Sequence, residues 1–118
     1  MKLENKVSLV SACGRGIGKE VALTLAREGS DLIINSFSET NTESLVNELN
    51  KLGIKAIGVS GDITKSSVIV ETVKQGIDTF GKIDILVNNV GGGAAAEIKD
   101  KDNPLAEAES IWDGTYEM

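Results

Sequence analysis

Val10-Ser11-Ala12-Cys13-Gly14-Arg15-Gly16-Ile17-Gly18 decides how the rest of this chain is read. A short apolar run, Val7 to Val10, leads into it. Ile17, Val21 and Leu25 leave it at helical spacing. Strand, glycine-rich turn, helix is an order that aims a helix N-terminus at a phosphate. The first-turn N–H groups lack internal partners, and the aligned peptide dipoles put partial positive charge there. Gly16 and Gly18 lack the Cβ atoms that would hold a pyrophosphate and a neighbouring strand at a distance. The expected ligand is a dinucleotide lying on this turn.

Outward from the turn, strands and helices alternate. Lys6 to Val10 reads as the first strand and Gly16 to about Glu28 as the first helix, stopped by Gly29. Asp31 to Asn35 reads as the second strand, and the polar stretch Ser36 to Thr42 as a loop. A second helix follows from about Thr42 to Leu52, with Leu45, Leu49 and Leu52 on one face and Gly53 as its stop. Lys55 to Ser60 is the third strand. Thr64 is the expected cap of a third helix carrying Ile69, Val73, Ile77 and Phe80 on one stripe and ending at Gly81. Ile83 to Asn88 is the fourth strand. Residues 91 to 104, rich in Gly and Ala, read as a mobile loop over the binding face, and Leu105 to Trp112 as the start of another helix. The order implies a doubly wound α/β fold, a Rossmann-type parallel sheet with strand order 3-2-1-4, forming one domain over residues 1–118. Ligands of such sheets bind beyond the carboxyl ends of the strands.

Composition narrows the function. The 118 residues are 41% apolar but only 3% aromatic, so the core must be Val, Ile, Leu and Ala, as in a sheet covered on both faces. A net charge of −6 argues against a nucleic-acid partner, since no basic surface is available to neutralise phosphates. No apolar run approaches the ~20 residues of a membrane span. No signal peptide is visible, and the single cysteine, Cys13, fits a reducing compartment, the cytoplasm. The absence of histidine removes His-based zinc sites and His-dependent nucleophilic catalysis; no metal site is expected. Cys13, close to a helix N-terminus, is expected to have a lowered thiol pKa and to be open to oxidation rather than to act as a nucleophile. Gly18-Lys19-Glu20 lacks the Ser/Thr of a P-loop, which argues against a nucleoside triphosphatase.

At this point the chain resembles the short-chain dehydrogenase/reductase family. That family opens with Thr-Gly-x-x-x-Gly-x-Gly, and this chain has Ser11-Ala12-Cys13-Gly14-Arg15-Gly16-Ile17-Gly18, with Ala12 where the family has its first glycine. Asp62-Ile63 is similar to the family's Asp and apolar residue after strand three. Asn88-Asn89-Val90-Gly91 is similar to its Asn-Asn-Ala-Gly, and Trp112-Asp113 to the start of its next helix. The resemblance covers the whole chain and is nearest to 3-oxoacyl-carrier-protein reductase-like members. It implies cofactor contacts from Ser11, Cys13, Gly14, Arg15, Gly16, Ile17 and Gly18 at the turn. It implies further contacts from Asp62 at the adenine amino group, Ile63 as a wall of the adenine pocket, and Asn89, Val90 and Gly91 near the ribose and nicotinamide. Asn88 is implied to tie strand four to its neighbours. The plainer alternatives are a tight turn for the glycines and a turn or cap residue for Asp62.

Cofactor choice turns on the end of strand two. NAD-preferring relatives place a carboxylate there to hold the ribose 2′-hydroxyl. Here the position is Asn35, followed by Ser36, Phe37 and Ser38, with no carboxylate before Glu39. Arg15 with Ser36, and Ser38 as a further candidate, could hold a 2′-phosphate, so NADP(H) is favoured over NAD(H); the alternative for Arg15 is a solvated surface charge. The resemblance implies hydride transfer to a ketone, possibly a 3-oxoacyl thioester, by a parent that is a homo-oligomer and about twice this length. The family's catalytic Asn, Ser and Tyr-x-x-x-Lys lie beyond Met118, and Tyr116 has no residue four positions after it. No catalytic residue is therefore assigned within the chain. A non-catalytic nucleotide-binding or regulatory module is the alternative. With no fifth strand, strand four is expected to be an exposed apolar edge, leaving the chain poorly stable or associated.

Overall fold

The apolar runs on either side of the glycine turn become the centre of one sheet. The computed structural model describes residues 2–14 and 16–88, and the backbone of 94–97. Its elements are β1 (Val7–Val10), α1 (Gly16–Arg27), β2 (Asp31–Ser36), α2 (Glu39–Asn50), β3 (Ala56–Ser60), α3 (Ser66–Phe80), β4 (Ile85–Asn88) and β5 (Ala94–Glu97). The sheet order is β3-β2-β1-β4-β5. The first four strands are parallel, with Leu9 opposite Ile33 on one side and Leu86 on the other. Because β1 lies between β2 and β4, the winding reverses at its carboxyl end, where the glycine turn sits.

Strand alternation divides the core into two layers. Leu9, Ile33 and Leu86 face α3 and pack with Ile69 and Val73. Val10, Leu32, Ile34 and Val87 face α1 and α2 and pack with Ala22, Leu23, Leu45 and Leu49. Each fully buried Leu or Ile side chain contributes roughly 1.5–3 kcal/mol of transfer free energy. α3 ends at Gly81, whose φ of 79° is left-handed and whose N–H donates to Ile77 O.

The strand order 3-2-1-4 is as expected, but four local features differ. β2 runs one residue further, to Ser36, because Ser36 continues the register with Ser60 of β3. α2 begins at Glu39 rather than Thr42: Ser38 is its N-cap and accepts the Asn41 N–H at 3.2 Å. The expected loop over 36–42 thus shrinks to Phe37 and the cap. Thr64 does not cap α3; the N-cap is Lys65, without a side-chain cap bond, and the Thr64 hydroxyl turns back to Asp62. Finally, β4 is not an edge. Residues 94–97, expected in a loop, form β5 antiparallel to it, with Asn88 opposite Ala94 and Ile85 opposite Glu97. A local antiparallel strand needs no crossover and can close that edge where a parallel partner would need a long connection. The rest of the expected 91–104 loop and the expected helix at 105–112 lie outside the described residues. Among the described residues no helix is long and apolar enough to cross a membrane.

Candidate functional site

The carboxyl ends of β1, β2 and β3 are knotted together by one buried side chain, Asn35. Its Oδ1 accepts the Ala12 N–H at 3.2 Å, and its Nδ2 donates to Val59 O at 3.0 Å and Gly61 O at 3.2 Å. The backbone adds to the knot: Cys13 N–H donates to Asn35 O and Gly61 N–H to Ser36 O. Asn35 is 1% exposed and its carboxamide is fully engaged. Asn35, expected at the position where NAD-preferring relatives carry a carboxylate, thus makes three hydrogen bonds within the protein. It positions the turn, and Ser36, the next residue and the last of β2, lies against the glycine turn instead.

That contact is close. A Cβ on Gly14 would collide with the Ser36 hydroxyl and lie 3.0 Å from Asn41 Cβ. Only glycine lets the turn approach the end of β2 and the first turn of α2 this tightly. Between these parts opens a cleft of ≈ 340 Å³ lined by Ala12, Gly14, Ser36, Phe37, Ser38 and Asn41. The described lining residues carry hydroxyl, carboxamide, backbone and aromatic groups, and none of them is charged. Phe37 is 79% exposed, which leaves a free aromatic ring at the mouth.

Ala12 adopts φ 51°, so the left-handed backbone that a glycine would take without strain is present here with a methyl group attached. The turn is thus made with alanine at a backbone angle that favours glycine. Ser11 is buried; its hydroxyl donates to Asn88 Oδ1 at 3.3 Å and its N–H to Val87 O, pinning β1 to β4. This gives Asn88 the tying role expected of it.

Cys13 also faces inward. It is fully buried, its thiol within donating distance of Val10 O and Asn35 O, both at 3.3 Å. Burial pushes its pKa from 9.0 up to about 12, and the backbone hydrogen bonds offset only part of that rise. The expected low-pKa, oxidation-prone thiol is corrected: desolvation by burial outweighs the backbone hydrogen bonds that lower it. With its N–H also donated to Asn35, Cys13 can support a ligand only by shaping the turn.

Gly16, Ile17 and Gly18 open α1, with Gly16 and Ile17 exposed and Gly18 buried. Asp62 and Ile63 do not line the cleft. Asp62 accepts from the Thr64 hydroxyl at 2.6 Å and the Thr64 N–H at 2.9 Å, forming a turn before α3. These bonds, the hydroxyl first, hold its carboxyl below the usual carboxylate range. Ile63 is buried in the core beneath α3. Arg15, Asn89, Val90 and Gly91 lie outside the described residues. Phe37 and Asn41 were not assigned from sequence. The available signals were an aromatic residue just past a strand and a Ser-x-x-Asn cap that turns the third helical residue toward the glycine turn. No group of three or more potential metal-ligating side chains occurs among the described residues.

This geometry has known counterparts. The chain matches the family model "short chain dehydrogenase" over residues 6–116. It is 36% identical over 118 residues to the (2S)-[(R)-hydroxy(phenyl)methyl]succinyl-CoA dehydrogenase subunit BbsD of Thauera aromatica, covering all of this chain and 45% of that protein. It is 35% identical over 88 residues to the 3-oxoacyl-[acyl-carrier-protein] reductase FabG of Staphylococcus epidermidis, covering 74% and 36% of the two chains. Among solved structures, NAD+-bound xylitol dehydrogenase superposes with a TM-score of 0.73 at 33% identity, over 77% of this chain and 35% of that one. The chain therefore spans less than half the length of these relatives. Matched over nearly its whole length, the chain belongs to the short-chain dehydrogenase family.

Proposed function

We propose that this chain is the dinucleotide-binding part of a short-chain oxidoreductase that uses NADP(H) in preference to NAD(H). The observation that carries the reading is that no carboxylate stands among the described residues lining the cleft between the glycine turn and β2. A carboxylate at the end of β2 would hold a ribose diol and repel a 2′-phosphate; here the position is Ser36, and the nearest following carboxylate is Glu39 in α2. The cleft has room for a nucleotide-sized group, and Gly14 leaves the backbone open to it. Gly16 and Gly18 at the start of α1 would meet the pyrophosphate, with Arg15 and Ser36 at the 2′-phosphate and Asp62 near the adenine. Asn89, Val90 and Gly91 would pass the ribose and nicotinamide.

When bound, the cofactor supplies a hydride to a ketone, a 3-oxoacyl thioester being the substrate class favoured by the likeness to the carrier-protein reductase. This chain's share of the reaction is to bind and orient. The parent enzyme is proposed to assemble as a homo-oligomer in the cytoplasm. Calorimetric titration of the chain with NADPH and with NADH tests the reading. Saturable binding with NADPH preferred supports it; equal affinity, or preference for NADH, overturns the cofactor assignment.

A further inference from the structure

We infer that Asn41, in the first turn of α2, is a specificity-determining residue that donates its carboxamide to the 2′-phosphate of the bound nucleotide. The inference rests on the proposed NADP(H) reading and adds to it a residue that no sequence motif marks. Asn41 is the third residue of α2 after the Ser38 cap. Its backbone N–H is committed to Ser38 Oγ, which fixes the backbone and leaves the side chain free to turn. The side chain is exposed, lines the cleft, and makes none of the described hydrogen bonds. The missing Cβ of Gly14 is what lets it come so near the turn, 3.0 Å separating Asn41 Cβ from where that Cβ would lie. Ser36 Oγ borders the same space.

The chemistry of these groups is one-sided. A carboxamide offers two N–H donors to a phosphate, and a serine hydroxyl offers one more. Neither repels a dianion, whereas a carboxylate at either place would. Two donors held against the glycine turn on neighbouring elements form a socket for a small anion beside the ribose. The diol of an unphosphorylated ribose could use the Ser36 hydroxyl but gains less from the carboxamide, because hydrogen bonds to a charged acceptor are stronger.

The test uses adenosine 2′,5′-bisphosphate and adenosine 5′-monophosphate as probes, titrated calorimetrically into the wild-type chain, Asn41→Ala and Asn41→Asp. The inference predicts that Asn41→Ala weakens the bisphosphate about tenfold and leaves the monophosphate within about twofold, as expected for one lost hydrogen bond to a charged group. Asn41→Asp should weaken the bisphosphate further and abolish the wild-type preference. An acidic residue in the first turn of a helix favours the helix dipole, so loss of binding in that variant does not come from loss of α2; circular dichroism checks this. If the wild type prefers the bisphosphate and either variant keeps that preference in full, the inference is overturned while the cofactor reading stands. Equal weakening of both probes by Asn41→Ala also overturns it, showing a role in shaping the turn. A wild type with no preference overturns the cofactor reading, and the inference with it.

Discussion

Replacing Ala12 with glycine should stabilise this protein, although it removes a side-chain carbon. Ala12 has φ 51°, and an L-residue in the left-handed region costs roughly 1–2 kcal/mol through the clash of Cβ with the carbonyl. Glycine relieves that strain but has more unfolded-state freedom to lose, roughly 0.5–1 kcal/mol. The difference leaves a net gain of about 0.5–1 kcal/mol. The Ala12 N–H bond to Asn35 Oδ1 is a backbone contact and survives the change. With a urea slope of about 2 kcal/mol per molar, the unfolding midpoint should rise by about 0.3–0.5 M. Ala12→Val supplies the opposite sign, since a β-branched residue is poorly tolerated at positive φ, and should lower stability by roughly 1 kcal/mol or more. Equilibrium urea unfolding followed by circular dichroism reads both. A destabilised Ala12→Gly, or an unchanged Ala12→Val, would refute the left-handed turn.

Further expectations concern the knot behind the turn. Asn35→Ala strands the Val59 and Gly61 carbonyls and the Ala12 N–H, and should cost about 2–4 kcal/mol in the same urea assay; a loss below about 1 kcal/mol would show that solvent replaces those bonds. Cys13 should resist iodoacetamide at pH 8 in the native state and react once urea unfolds the chain, because its thiol is buried and its pKa lies near 12; native labelling at the unfolded rate contradicts this. The same shift sets a pH dependence. The unfolded thiol ionises above about 9 while the native one stays protonated, so the native state holds the extra proton between about 9 and 12 and stability falls as pH rises through that window, by up to about 1.4 kcal/mol per pH unit. Cys13→Ser should flatten that slope in urea titrations across the window. Thr64→Val removes the first of the bonds that lower the Asp62 pKa, so that pKa should move back up in an NMR titration; no movement would mean that another group holds the carboxylate.

The sheet was legible because its centre is built from contiguous apolar runs, Leu32-Ile33-Ile34 and Ile85-Leu86-Val87, separated by helical stripes and glycine stops. These signals are local. What the chain order hid depends on contacts between distant residues. That Asn35 is buried under the turn, holding the Ala12 N–H, while Ser36 borders the cleft at Gly14 depends on how β2 pairs with its neighbours; side-chain type alone does not decide it. Ala94 to Ala96 has weak strand propensity, and only pairing with β4 makes it a strand. Cys13 lies near a helix end in sequence, yet packing turns its thiol into the core, and burial raises its pKa. Phe37 and Asn41 join the cleft because α2 starts earlier than its leucine stripe indicates, at a serine cap that polar neighbours disguise.

The central claim is that a nicotinamide dinucleotide lies on the turn between β1 and α1. A ¹H–¹⁵N correlation spectrum of the labelled chain, titrated with NADPH, tests it most directly. The account predicts saturable shifts of the Ala12, Gly14, Gly16, Ser36 and Asn41 amides, with Gly53 and Gly81, at the ends of α2 and α3 away from the cleft, unmoved. Shifts confined to other surfaces, such as the outer face of α1 at Val21 and Leu25, or no saturable shift at all, would contradict it.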